Sequence, residues 1–100
     1  MRDACIQRFE FTFELLWKTI QAIARREGLV TNSPRAAFRA GFQLGLMDDT
    51  EVWFEMMEDR NLTSHTYNEV TAKRIYCHLP AYSRLLRETR DRVRTYTSTP

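Results

Sequence analysis

Apolar residues recur along this chain at three- and four-residue intervals, and no stretch alternates with the two-residue period of a strand. The spacing predicts four helices. The first runs from about Asp3 to Glu27 and stops at Gly28, the residue best suited to a left-handed C-terminal cap. Ile6, Phe9, Phe13, Trp17, Ile20 and Ala24 define one buried face of it. Phe11 and Leu15 point nearly the opposite way, with Ala4 and Ala22 roughly beside them. A helix apolar on two sides lies between two partners rather than on a surface. One side is the intramolecular core; the other calls for a second subunit or for a helix this chain does not have.

Asn32-Ser33-Pro34 opens a short second helix, with Ser33 as N-cap and Pro34 at the first helical position, ending near Phe42–Leu44 before Gly45. Asp48 and Glu51 have the spacing of a capping box for the third helix, whose inner stripe is Trp53, Met56, Met57 and Arg60. Asn68 caps the fourth, which runs to about Arg94 with Ala72, Ile75, Leu79, Tyr82, Leu86 and Val93 as its seam and Thr89 filling a turn. Pro80 is expected to kink that helix, since it removes a backbone donor and crowds the preceding turn. Residues 1–94 thus form a single helical-bundle domain, and residues 95–100 a frayed tail.

Composition changes this picture only at the edges. One hundred residues with few Gly and Pro make one ordered domain with a modest core. No long apolar run or signal-peptide pattern argues for a membrane or for secretion, which leaves the cytoplasm as the expected compartment. Cys5 and Cys77 lack metal-ligand spacing and read as reduced, mostly buried thiols. Net charge is only +2, but it is unevenly placed. Asp48, Asp49, Glu51, Glu55, Glu58 and Asp59 fall together without a base among them. Between residues 73 and 94, Lys73, Arg74, Arg84, Arg87, Arg90, Arg92 and Arg94 stand against only Glu88 and Asp91. All the bases but Lys18 and Lys73 are Arg, the cation suited to bidentate phosphate or carboxylate contacts. The basic helix is therefore either a track for an RNA backbone or the intramolecular partner of the acidic one.

Candidate chemistry concentrates in Glu58-Asp59-Arg60-Asn61-Leu62-Thr63-Ser64-His65-Thr66-Tyr67. On a continuous helix His65 would be rotated about 140° from Arg60 and lifted roughly 7–8 Å. A break between Leu62 and Asn68 removes that obstacle, and Thr63, Ser64, Thr66 and Asn68 all prefer caps and turns to helix interiors. Histidine moves protons near neutral pH, arginine stabilises charge on a phosphorane, and Asn61 can orient the arginine or bind a phosphate oxygen. The chemistry this suits is RNA cleavage needing no metal, with Arg60 and His65 as catalytic residues. A two-fold dimer would supply the second proton-transfer group, since His78 has no evident relation to the motif. The architectural alternative ties Arg60 to Glu58, Asp59 or helix carbonyls and makes His65 a turn cap.

The blocks Arg2-Asp3-Ala4-Cys5-Ile6-Gln7-Arg8-Phe9-Glu10-Phe11-Thr12-Phe13-Glu14-Leu15-Leu16-Trp17-Lys18, Asn32-Ser33-Pro34-Arg35, Glu51-Val52-Trp53 and Glu58 to Tyr67 occur here in one order. In that order they resemble the nucleotidyltransferase substrate-binding proteins of the HEPN superfamily over about residues 2–82. The resemblance implies an all-α, antiparallel up-and-down helical bundle, usually a homodimer, and no cofactor. It also implies a separate minimal nucleotidyltransferase as partner. Arg60, Asn61 and His65 match the superfamily's Arg-polar-…-His hallmark, and Tyr67 extends it to Arg-x4-His-x-Tyr. In ribonuclease members the Arg and His form the active site. In toxin–antitoxin pairs the nucleotidyltransferase silences the toxin by adding AMP to the motif tyrosine, here Tyr67. Family members usually carry an additional helix ahead of the block that starts at Arg2, and the Phe11/Leu15 stripe fits its absence.

Three functions follow as expectations. The chain is a ribonuclease toxin using Arg60 and His65, with Asn61 and Tyr67 binding substrate and Tyr67 as the regulatory target. Or it is a non-catalytic subunit that presents a nucleotide or other substrate to its nucleotidyltransferase. Or it is a helical dimerisation protein whose motif is architectural. The Arg–Asn–His–Tyr set favours the first two over the third.

Overall fold

Among the described residues, four α-helices and one 3-10 turn follow one another as α1 (Arg2–Arg26), α2 (Pro34–Gln43), α3 (Glu51–Leu62), the 3-10 turn (Thr63–His65) and α4 (Glu69–Ser98). They are seen in a computed structural model that describes residues 2–48 and 51–98. No strand occurs among the described residues, and the helices pack as an all-α bundle. Two glycines end helices where the sequence placed them. Gly28 sits at φ +81, with Leu29 N–H donating to the Ala24 carbonyl at 2.8 Å and Gly28 N–H to that of Arg25 at 3.1 Å. The same paired bonds close α2 at Gly45, where φ is +76. Both are left-handed caps that a Cβ would strain. At the other end of α2, Ser33 Oγ accepts from Ala36 N–H at 3.2 Å, with Pro34 at the first position.

The core forms where the inner stripes meet. Phe13 stands edge-on to Phe38, whose ring lies 5.3 Å from that of Trp53, and Phe9 stacks on Tyr82 at 5.5 Å. Ile20, Met56 and Ile75 are sealed with them. The stripe on α1 is rotated slightly from the expected one. Leu16 and Ile23 are buried, while Trp17 lies half-exposed, where its indole N–H reaches Glu14 Oε2 at 3.0 Å. A buried indole needs such a partner, and this one is only available at the edge of the core. Phe11 and Leu15 remain exposed, as the second stripe on α1 required.

Helix directions follow from the contacts at their ends. Arg2 grips Glu69 bidentately at 2.8 and 2.9 Å, and Tyr96 donates to Glu27 at 2.7 Å, so α1 and α4 run side by side in the same sense. Glu55 faces His78 while Glu58 and Asp59 face Arg74, so α3 runs antiparallel to α4. The ten-residue α2 is too short to be a full return along α1 and instead closes one side of the core.

One of the two roles left open for the basic helix is seen, and three local expectations are corrected. The acidic stretch is in part the partner of the basic helix: Arg92 holds Asp48 at 3.1 and 3.2 Å, and Arg74 reaches Asp59 at 3.0 Å. Asp48 thus spends its carboxylate on Arg92 rather than on a capping box, and the intervening Asp49 and Thr50 lie outside the described residues. Cys5 and Cys77 are exposed rather than buried. Finally, α4, which contains Pro80, continues beyond Arg94 to Ser98. Its last turns are held by Thr97 Oγ1 on the Val93 carbonyl at 3.0 Å and by the Tyr96–Glu27 bond. Thr99 and Pro100 fall outside the described residues.

Candidate functional site

The turn between α3 and α4 breaks where the sequence asked it to. Thr63 Oγ1 donates to the Arg60 carbonyl at 2.6 Å, satisfying an acceptor that the end of α3 leaves open. Asn68 N–H bonds the His65 carbonyl at 3.1 Å, and Asn68 Oδ1 accepts from Val70 N–H at 3.0 Å to start α4. His65 therefore belongs to a tight turn rather than to a helix face.

Two pairs of motif residues result. His65 Nδ1 and Tyr67 Oη lie 3.3 Å apart, with the rings edge-to-face at 5.8 Å. Both side chains are exposed, Tyr67 at 85%. Arg60 is half-buried, and one of its terminal nitrogens donates to Asn61 Oδ1 at 3.4 Å. The other forms an ion pair with Glu14 of α1, while its Nε is buried without a hydrogen-bond partner. Among the described residues no hydrogen bond, ion pair or ring contact joins Arg60 to His65 or Tyr67. Within the single chain the turn assembles an imidazole–phenol pair, and the end of α3 separately holds an anchored guanidinium.

Neither Glu58 nor Asp59 holds Arg60, so that form of the architectural alternative is not what the fold builds. Glu14 was missed by sequence reasoning. It lies between Phe13 and Leu15, three residues before Trp17, whose indole fixes its second oxygen. A carboxylate flanked by apolar positions on a helix between two partners was the available signal.

A second polar cluster was also missed. Asp59, fully buried, accepts from Tyr82 Oη at 2.6 Å and lies 2.6 Å from His78 Nδ1, with Arg74 Nε on its other oxygen at 3.0 Å. A buried carboxylate is tolerable only when paired; here Oδ2 takes both the phenol and the imidazole, while Oδ1 has the Arg74 ion pair but no hydrogen bond. Burial, and then the bond to the Asp59 carboxylate, push the Tyr82 phenol well above its ordinary range. His78, which had no evident relation to the motif, is thereby tied to the residue next to Arg60. The i, i+4 spacing of His78 and Tyr82 opposite an acid set in the Trp53–Met56 stripe was the legible sign of it.

An all-α bundle that carries Arg-x4-His-x-Tyr on its α3–α4 turn defines an HEPN-type domain. The chain matches the family model described as "Nucleotidyltransferase substrate binding protein like" over residues 1–95 and belongs to that family. It is 30% identical over 96 residues to a Haemophilus influenzae protein named "Probable ribonuclease HepT", covering 87% of this chain. This chain spans slightly under two thirds, 66%, of that relative's length. A solved crystal structure of a Thermus thermophilus protein superposes with a TM-score of 0.86 at 46% identity, covering 93% of this chain and 81% of that one. No helix among the described residues is long and apolar enough to cross a membrane.

Proposed function

We propose that this chain is a cytoplasmic HEPN-type endoribonuclease, the toxin of a pair whose other member is a minimal nucleotidyltransferase. The observation that carries the reading is the His65–Tyr67 contact at 3.3 Å on an exposed turn that starts from an anchored Arg60. With the Nδ1 proton shared towards the phenol oxygen, Nε2 is the free base. It takes the proton of a ribose 2′-hydroxyl. The 2′-oxygen then bonds to phosphorus, and the bond to the 5′-oxygen breaks, leaving a 2′,3′-cyclic phosphate. Arg60 and Asn61 hold the phosphoryl oxygens as negative charge builds on them. The departing 5′-oxygen needs a proton, and the same imidazole of a second subunit supplies it when two turns meet across a two-fold axis.

The exposure of Tyr67 also supports its role as the modification target. Its phenol oxygen would attack the α-phosphorus of ATP, losing its proton and releasing pyrophosphate. The resulting AMP would place bulk and negative charge where substrate phosphate binds. A second reading, a non-catalytic substrate-binding subunit, draws on the absence of contact between Arg60 and His65 within one subunit and on the family description.

RNA cleavage by the purified protein in EDTA tests the choice. Arg60→Ala is expected to lower the rate about 10²–10³-fold, and His65→Ala about 10²–10⁴-fold. Cleavage that persists undiminished in both variants overturns the proposal. Absence of cleavage, together with faster turnover by an added nucleotidyltransferase, replaces it with the second reading.

A further inference from the structure

The Tyr67 phenol has one hydrogen-bond partner among the described residues, and it is an imidazole. Oη lies 3.3 Å from His65 Nδ1, and the two rings meet edge-to-face at 76° with centroids 5.8 Å apart. The turn builds this contact, because the bond from Asn68 N–H to the His65 carbonyl at 3.1 Å closes the backbone that carries both rings. Among the described residues no carboxylate competes for the phenol. Glu69, two residues on, is held bidentately by Arg2 at 2.8 and 2.9 Å.

The heavy atoms allow two placements of the proton. With the proton on Nδ1, the imidazole donates to the phenol oxygen and Nε2 is the base, as the proposed cleavage requires. With the proton on Oη, the phenol donates to Nδ1 and the imidazole faces it as an acceptor. A phenol attacks phosphorus through its oxyanion and keeps its proton near neutral pH, so transfer to Tyr67 needs a base in contact with Oη. At 3.3 Å the bond is long, as catalytic hydrogen bonds often are before the reacting group arrives.

We infer, resting on Tyr67 as the modification target, that His65 is the general base for its nucleotidylation, so the chain that is modified supplies its own proton acceptor. The Oη–H bond breaks towards His65 Nδ1 as Oη bonds to the α-phosphorus of a nucleoside triphosphate. The bond from that phosphorus to its bridging oxygen breaks, and pyrophosphate leaves with the electron pair. The proton then passes from the imidazolium to solvent. The same step disables the imidazole for cleavage. The ester oxygen left at Oη has no proton and is a poor acceptor, so Nδ1 loses the partner that held its tautomer. One histidine thus serves two reactions that exclude each other.

Adenosine 5′-phosphorimidazolide, an AMP donor that reacts without an enzyme, tests the base apart from any partner. Adduct at Tyr67 is followed by peptide mass spectrometry against N-acetyltyrosinamide as a free phenol in the same tube. Tyr67 of wild type is expected to react at least about tenfold faster than the free phenol. In His65→Ala and His65→Gln, with the circular-dichroism spectrum unchanged, the rate is expected to fall to that of the free phenol. The Gln variant keeps a polar side chain on the turn but takes no proton. A wild-type rate in both variants, or no advantage over the free phenol, overturns the inference. So does an adduct on His65 in place of Tyr67, which makes the imidazole the nucleophile. A second arm, with ATP and an added minimal nucleotidyltransferase, reads the underlying modification. No adduct on wild type there strikes Tyr67 as the enzyme's target, while the imidazolide arm still decides whether His65 is a base.

Discussion

Glu14 and Arg60 show how much of this site rests on single side chains in half-buried surroundings. The guanidinium is held between a carboxylate from α1 and the amide of Asn61, and Glu14 is itself held by Trp17. Glu14→Gln keeps an acceptor in place but removes the charge that fixes the arginine. If the chain cleaves RNA as proposed, the rate is expected to fall about tenfold, less than in Arg60→Ala, because the cation survives but is misplaced. Single-turnover rates with an unchanged circular-dichroism spectrum check this; a rate equal to wild type shows that Arg60 needs no anchor. Tyr82 makes a different prediction. Its phenol is raised by burial first and by Asp59 second, so above pH ~10 the folded chain keeps a proton that the unfolded chain has lost. Stability contributed by that proton is complete below pH ~10 and declines as pH rises, with a limiting slope of about 1.4 kcal/mol per pH unit. Tyr82→Phe is expected to be less stable at neutral pH by about 1–3 kcal/mol, because Asp59 loses a donor. It should also lose less between pH 9.5 and 11 than wild type does. Parallel alkaline melting curves for the two proteins would remove this account.

At the level of elements, the caps and the turn were written in the sequence. Gly28, Ser33, Gly45 and Asn68 each sit where backbone groups need a left-handed residue or a side-chain acceptor, a local requirement that a few neighbouring residues settle. Gly28→Ala is expected to cost about 1–2 kcal/mol, since a Cβ at φ +81 meets no neighbour and the whole penalty is backbone strain. A chemical denaturation midpoint unchanged by that substitution would contradict the cap. What the sequence left open was everything set by which face meets which. Periodicity placed Trp17 in the core, but the partner of α1 turned the stripe towards Leu16 and Ile23. The cysteines are small and apolar enough to bury, yet they are exposed. The site divides in the same way. His65 and Tyr67 are two residues apart and their pairing follows from the turn, whereas Glu14 reaches Arg60 across 46 positions that no local pattern connects.

For the molecule as a whole, the distance between the two halves of the motif bears on assembly. The chain holds an imidazole–phenol pair and a guanidinium anchored elsewhere, with one histidine on the turn, whereas the proposed reaction moves two protons. If two turns meet at a two-fold axis, a single reaction centre uses the histidines of both copies, one as base and one as acid. Mixed dimers then distinguish shared from independent sites. Wild type and His65→Ala, unfolded together in equal amounts and refolded to scramble the subunits, give half of the dimers as hybrids. Where both histidines are required, only the all-wild-type quarter of the dimers cleaves RNA, so activity is expected at about a quarter of that of wild type at the same total concentration. Where each subunit acts alone, about half survives. A result at one half would place the acid within the same subunit, and the Asp59-linked imidazole of His78 would be the group to examine next.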